Sequence, residues 1–141
     1  MHVFGIGIDV VEVARIAAAM QRHGTPFLAR LFTAGERDYC ESRQIPALHY
    51  AARFAAKEAV SKALGTGIGG HAGWHDLEIV HNPAGAPQLC LSGAAESFAR
   101  IHDITAIHIS LTHARNYAAA NAIAIAGTTR SPTGTVEGVI S

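Results

Sequence analysis

The sequence predicts an α+β fold in which an antiparallel sheet packs against a long helix. Three features predict it. Helical patterns cluster between residues 13 and 64, while most period-two stretches come later. The run 46–64 is rich in alanine, the strongest helix former, and Gly65 closes it. Turn-forming residues at 82–87 and 113–116 separate short strand-like runs, the pattern of antiparallel neighbours.

Residues 2–11 alternate. Phe4, Ile6, Ile8 and Val10 fall on one face; Val3, Gly5, Gly7, Asp9 and Val11 fall on the other. Asp9 therefore shares a face with two glycines, which in a strand mark close approach of another element or a ligand. A helix is expected over 13–23, ended by Gly24 ahead of Pro26. Thr33 begins the next as N-cap, with Glu36 completing a capping box, and that helix extends to about Arg43. After the run 46–64, residues 65–70 form a glycine-rich loop without the Gly-Lys-Ser/Thr ending of a phosphate-binding Walker loop. Residues 76–80 and 88–91 form a hairpin. Ser92 caps a helix reaching about His102, with Glu96 in its early turns, and strands follow over 105–112 and 117–126. One domain is expected over 1–127, and the polar Gly/Ser/Thr-rich tail 128–141 is expected to be disordered.

Composition narrows the function. The chain has 141 residues, 49% of them apolar, with Lys+Arg 11 balancing Asp+Glu 11. No basic field for nucleic acid or an anionic membrane exists at this balance. Between Val13 and Gly35 the charged residues are Arg15, Arg22 and Arg30, a basic stretch that reads either as a solvated helix face or as a dock for an acidic partner. Cys40 and Cys90 form no CxxC and read as reduced thiols. The start carries no signal-peptide pattern, and no apolar run approaches the roughly 20 residues of a spanning helix. A cytoplasmic protein is expected. The His 9 include no HExxH, and His71 and His75 fall in a glycine-containing loop where a four-residue spacing has little meaning.

Asp9 poses the chemical question, because an uncompensated carboxylate on a buried strand face is expensive. On a helical wheel Ala51, Phe54, Ala55, Glu58 and Lys62 share one side of the 46–64 helix; Ala52, Ala56, Val60, Ala63 and Leu64 share the other. Two readings of Glu58 and Lys62 stand. One is an i,i+4 surface ion pair worth a few tenths of a kcal/mol. In the other, the helix packs on the glycine face of the first strand, so that Glu58 meets Asp9. Two such carboxylates hold Mg²⁺ when substrate phosphates complete its shell, with Lys62 aimed at the same phosphates.

These residues also carry a resemblance. Gly7-Ile8-Asp9-Val10-Val11-Glu12-Val13-Ala14-Arg15-Ile16 resembles the opening motif of the holo-[acyl carrier protein] synthases, small trimeric phosphopantetheinyl transferases. The stretch from Arg53-Phe54 through Lys57-Glu58-Ala59 to Lys62-Ala63-Leu64-Gly65 resembles their second motif. Gly85-Ala86-Pro87 and Ser110-Leu111-Thr112-His113 fit two further stretches in the same order.

The resemblance implies a homotrimer of the 4′-phosphopantetheinyl transferase fold with active sites between protomers. It implies transfer of 4′-phosphopantetheine from coenzyme A to a serine of apo acyl carrier protein, with release of adenosine 3′,5′-bisphosphate, in fatty acid biosynthesis. Asp9 and Glu58 are then the Mg²⁺ ligands, and Asp9, Glu58 and Lys62 the catalytic set. Lys62, Gly65, Thr112 and His113 contact coenzyme A, with His113 supplied by a neighbouring chain, and Arg15 and Arg22 dock the acidic carrier. Arg53 is left between a subunit-interface or neighbouring-site role and structural pairing, and Asn121 between an edge position and a bond across chains. Two rivals are a Mg²⁺-dependent nucleotide diphosphate hydrolase and a non-catalytic trimeric nucleotide-binding or scaffold module in which Asp9 is buried and protonated or caps a helix.

Overall fold

A computed structural model of the chain describes residues 1–127. The expected tail 128–141 lies outside the described residues. Strand β1 (His2–Glu12) leads into helix α1 (Val13–Leu31), followed by α2 (Ala34–Glu41) and α3 (Pro46–Leu64). A 3-10 turn at Trp74–Asp76 precedes the hairpin β2 (Leu77–His81) and β3 (Pro87–Leu91); α4 (Gly93–Ile101), β4 (Ile104–His113) and β5 (Tyr117–Ala126) complete the chain. The α+β class and the order of elements follow the sequence reading. Among the described residues no helix is long and apolar enough to cross a membrane.

The main sheet is antiparallel in the order β1-β5-β4, and β2 and β3 form a separate pair. Register places Asp9 opposite Ala120 and Ile8 opposite Asn121, which also faces Ser110 on β4. Asn121 therefore lies on the central strand. The edge position is corrected: its exposure comes from the uncovered face of the sheet, because even-numbered residues from Ala118 to Ala126 point inward to the core.

Helix α3 covers the inner face. Pro46 starts it and Gly65 ends it in the left-handed region at φ 78°. The approach to β1 is close enough that a Cβ on Gly5 would stand 1.9 Å from the carbonyl oxygen of Ala63, and one on Gly7 1.8 Å from that of Ala59. Glycine is thus required at both positions because backbone meets backbone. Between Tyr50 and Leu64 every residue is buried except Phe54, Glu58 and Lys62. The two-sided wheel gives way to a nearly enveloped helix with one open stripe at i, i+4, i+8.

Two boundaries differ from expectation. Helix α1 does not end at Gly24; it breaks there at φ 61°, ψ −146°, and helix resumes to Leu31. Pro26, at the start of the second segment, has φ preset for helix and lacks the N–H that a first turn leaves unused. Helix α2 stops at Glu41, short of Arg43, while Thr33 and Glu36 form the expected capping box. Cys40 is buried, its thiol pushed up to about 12 chiefly by that burial, and Cys90 is exposed; both are free.

Candidate active site

Asp9 and Glu58 come together. Both line a cavity of about 360 Å³ between β1, α1 and α3, with Arg15, Ile16, Phe27 and Phe54 among its walls. Phe27 reaches it from the segment beyond the Gly24 break, so that break shapes one wall. Burial pushes the Glu58 carboxyl above its ordinary range, and the negative charge of Asp9 pushes it further, against the opposing pull of Lys62. Two carboxylates gathered on one cavity form a site that attracts a cation.

Lys62 answers the question raised by Asp9. Its Nζ donates to Asp9 Oδ1 at 3.1 Å and to the carbonyl of Ile8 at 3.0 Å. The i,i+4 ion pair between Glu58 and Lys62 is thereby corrected: the ammonium reaches across to β1 instead. The pair is partly wet, with Lys62 49% and Asp9 19% exposed at the side chain, so it contributes at most about 1 kcal/mol. Asp9 caps no helix and has Lys62 as its ion-pair partner, so the scaffold role for it loses its support. Among the described residues no group of three or more His, Cys, Asp or Glu gathers to hold a metal. The two carboxylates nonetheless suit a hard divalent cation that keeps several ligands from water and substrate phosphate.

Arg15 lines the same cavity and, like Arg22, is exposed on α1. The spacing of seven puts them near one face of the helix. The N–H of Gly65 donates to the carbonyls of Lys62 and Ser61 and is therefore not a free phosphate donor. What Gly65 supplies is the turn that ends the helix just beyond Lys62.

Thr112 and His113 lie apart from this cavity. They are exposed at the end of β4, the sheet edge opposite β1. There the His113 ring meets His49 at 5.3 Å, edge to face. His49 belongs to a second constellation that the sequence reading missed. His81 stacks on Tyr39 at 4.3 Å, and the Arg53 and Arg43 guanidinium carbons stand 4.2 and 4.5 Å from the same Tyr39 ring. Arg53 is 3% exposed, donates to the His49 carbonyl, and leaves its Nε buried without a partner. Neither arginine has a carboxylate partner among the described residues. Burial first, and then neighbouring positive charge, lowers the affinity of His49 and His81 for protons. This is a patch whose arginines form no ion pair among the described residues. Its sequence trace was the i,i+4 spacing of His49 and Arg53 on α3 and of Tyr39 and Arg43 at the end of α2.

Residues 5–122 match the model of the 4′-phosphopantetheinyl transferase superfamily. A holo-[acyl-carrier-protein] synthase of Desulforudis audaxviator is 50% identical over 123 residues, covering 87% of this chain and 93% of that protein. The crystal structure of the Neisseria meningitidis holo-[acyl-carrier-protein] synthase superposes with a TM-score of 0.83 at 30% identity, over 88% of this chain and 99% of that one. The Helicobacter pylori holo-[acyl-carrier-protein] synthase in complex with coenzyme A superposes with a TM-score of 0.77 at 32% identity, over 85% and 99%.

Proposed function

The chain belongs to the holo-[acyl-carrier-protein] synthase family of the 4′-phosphopantetheinyl transferases, and from that premise we propose the reaction its cavity carries out. It moves the 4′-phosphopantetheine arm of coenzyme A to a serine hydroxyl of an apo acyl carrier protein in the cytoplasm, in the service of fatty acid biosynthesis. The observation that carries this reading is the convergence of Asp9 and Glu58 on one cavity, with Lys62 held against Asp9 and Arg15 in the wall.

Asp9 and Glu58 would hold Mg²⁺, which supplies neutralisation of the charge that develops on the pyrophosphate oxygens. The residues of the chain do the rest. Lys62 offers a mobile point charge beside Asp9, suited to a phosphate oxygen of the leaving group. The proton of the attacking serine passes to a base in the cavity, a water held there or a carboxylate such as Glu58. The serine oxygen bonds to the phosphorus of the phosphopantetheine group, and the bond from that phosphorus to the bridging oxygen breaks. Adenosine 3′,5′-bisphosphate leaves with that oxygen. Arg15 and Arg22 offer positive charge at the mouth to an acidic carrier, which speeds encounter and fixes orientation.

Ile6, Ile8 and Val10 are 68%, 65% and 59% exposed on the outer face of the sheet, an apolar strip that a homotrimer would cover. In that assembly Thr112 and His113 of one protomer would serve the cavity of its neighbour. The patch around Arg53 and Arg43 would then meet the outlying phosphate of coenzyme A.

Mass spectrometry of apo carrier incubated with the protein, coenzyme A and Mg²⁺ tests the reaction. A gain of one phosphopantetheine is expected with the natural sequence and is greatly slowed with Glu58→Gln. Cleavage of coenzyme A at full rate without carrier would replace transfer with hydrolysis.

A further inference from the structure

Lys57 adjoins Glu58 but points into the protein, and its side chain and that of Glu36 are both 0% exposed. Its Nζ donates to Glu36 Oε1 at 2.8 Å and to the Trp74 carbonyl at 2.8 Å. Glu36 in turn accepts the N–H of Thr33 at 2.9 Å and that of Ile79 at 3.0 Å. One ammonium thus fastens α3 to the start of α2, to the 3-10 turn and to β2. The Trp74 ring stacks on Phe54 at 5.3 Å, and Phe54 lines the cavity with Glu58. The same network therefore reaches two of the three open positions of α3.

Stability is a weak general reason for a dry ion pair. Replacing such a pair by apolar residues is often neutral or stabilising, and its best attested use is to fix register. Register matters most where α3 meets β1, because Gly5 and Gly7 face the backbone of Ala63 and Ala59 there and no large side chain of β1 keys into the helix. At the outer radius of a helix, about 5–6 Å, a 20° rotation carries a side chain about 2 Å. A misplacement of about 1 Å in an active site costs on the order of a hundredfold in rate.

We propose that Lys57 is a positioning residue whose buried pair with Glu36 fixes the rotation of α3 and thereby the place of Glu58 in the cavity. The proposal rests on the reading that Glu58 belongs to the active site.

The test is a cycle. The variant Lys57→Met with Glu36→Gln removes both charges and keeps an acceptor for the α2 capping box. It is measured alone and in a Glu58→Gln background, well below its melting temperature, with long incubations to follow the slow chains. In the natural background kcat is expected to fall at least about tenfold while the KM for coenzyme A stays within about twofold. In the Glu58→Gln background the same pair is expected to change kcat less than about twofold, because coupled residues are not additive. An unchanged kcat, a loss carried by KM, or an equal loss in both backgrounds would overturn the proposal. Should the double variant not fold, Glu36→Gln alone is read in the same cycle, with a loss of at least about fivefold expected. Full turnover by Glu58→Gln alone would overturn the active-site reading and this proposal with it. A silent pair in a chain that needs Glu58 overturns this proposal only.

Discussion

Lys62 Nζ lies 3.1 Å from Asp9 Oδ1, although 53 positions of sequence separate them. The ammonium stands where a cation is called for between β1 and α3, so it and a divalent ion would compete for Asp9. Lys62→Met should leave the fold intact, because a wet ion pair contributes little. It should lower kcat by about a hundredfold, the usual loss when a group facing transition-state charge is removed. Without coenzyme A, its affinity for Mn²⁺, followed by titration, should hold or rise; a clear fall would refute the competition.

Glu58 gives a pH dependence with a definite sign. Burial and Asp9 raise its folded-state pKa, so between the unfolded and folded values the native state binds more protons. Its contribution is most favourable below the unfolded value and is lost as pH rises through the folded one. In metal-free protein, Glu58→Gln should therefore raise the melting temperature at neutral pH and have little effect well below the carboxylate range. Thermal scans at both ends check this, and a lower melting temperature for the variant at neutral pH counts against it.

Arg15 stands at the mouth of the cavity. Arg15→Glu should raise the apparent KM for the carrier by about tenfold while that for coenzyme A stays near its original value, and added salt should narrow the gap. Equal effects on both substrates would remove the docking role.

Gly7 touches the α3 backbone. A methyl group there would stand 1.8 Å from the Ala59 carbonyl oxygen, which no side-chain rotation relieves. Gly7→Ala should destabilise the protein by about 3 kcal/mol or more, at the upper end of overpacking. Chemical denaturation measures it, and a loss below about 1 kcal/mol would mean that the helix can withdraw from the strand.

His113 ends β4, at the sheet edge away from β1, whereas Glu58 on α3 shares a cavity with residues of β1. If sites are shared between protomers, mixed assemblies of Glu58→Gln and His113→Ala chains contain some interfaces with both residues intact. Mixing the two impaired proteins after unfolding and refolding should then raise the activity above that of either alone. No recovery, from chains shown to assemble together, would confine the site to one protomer.

Much of this molecule was legible locally. The Thr33–Glu36 box, the Gly65 stop and the alternation of β1 each depend on neighbours within a turn or two, so their residues announce them. The site was legible as a set, since Asp9, Glu58 and Lys62 stood out as charges in apolar runs. Their pairing was not, because the reach of Lys62 depends on how closely α3 settles on Gly5 and Gly7. The Tyr39, His49 and His81 cluster left only a faint trace, since its members come from three elements and are ordinary at each position.

The sequence by itself determined which segments are helix and strand, where the 46–64 helix stops, and which charged residues need explaining, because periodicity, capping and turn chemistry act over a few residues. Only the tertiary structure decided that Lys62 answers Asp9, that Lys57 is buried with Glu36, and that His113 stands away from Glu58 within one chain. Those outcomes follow from which surfaces lose their water when the helix closes on the sheet, and desolvation of a charge is a property of the packed whole.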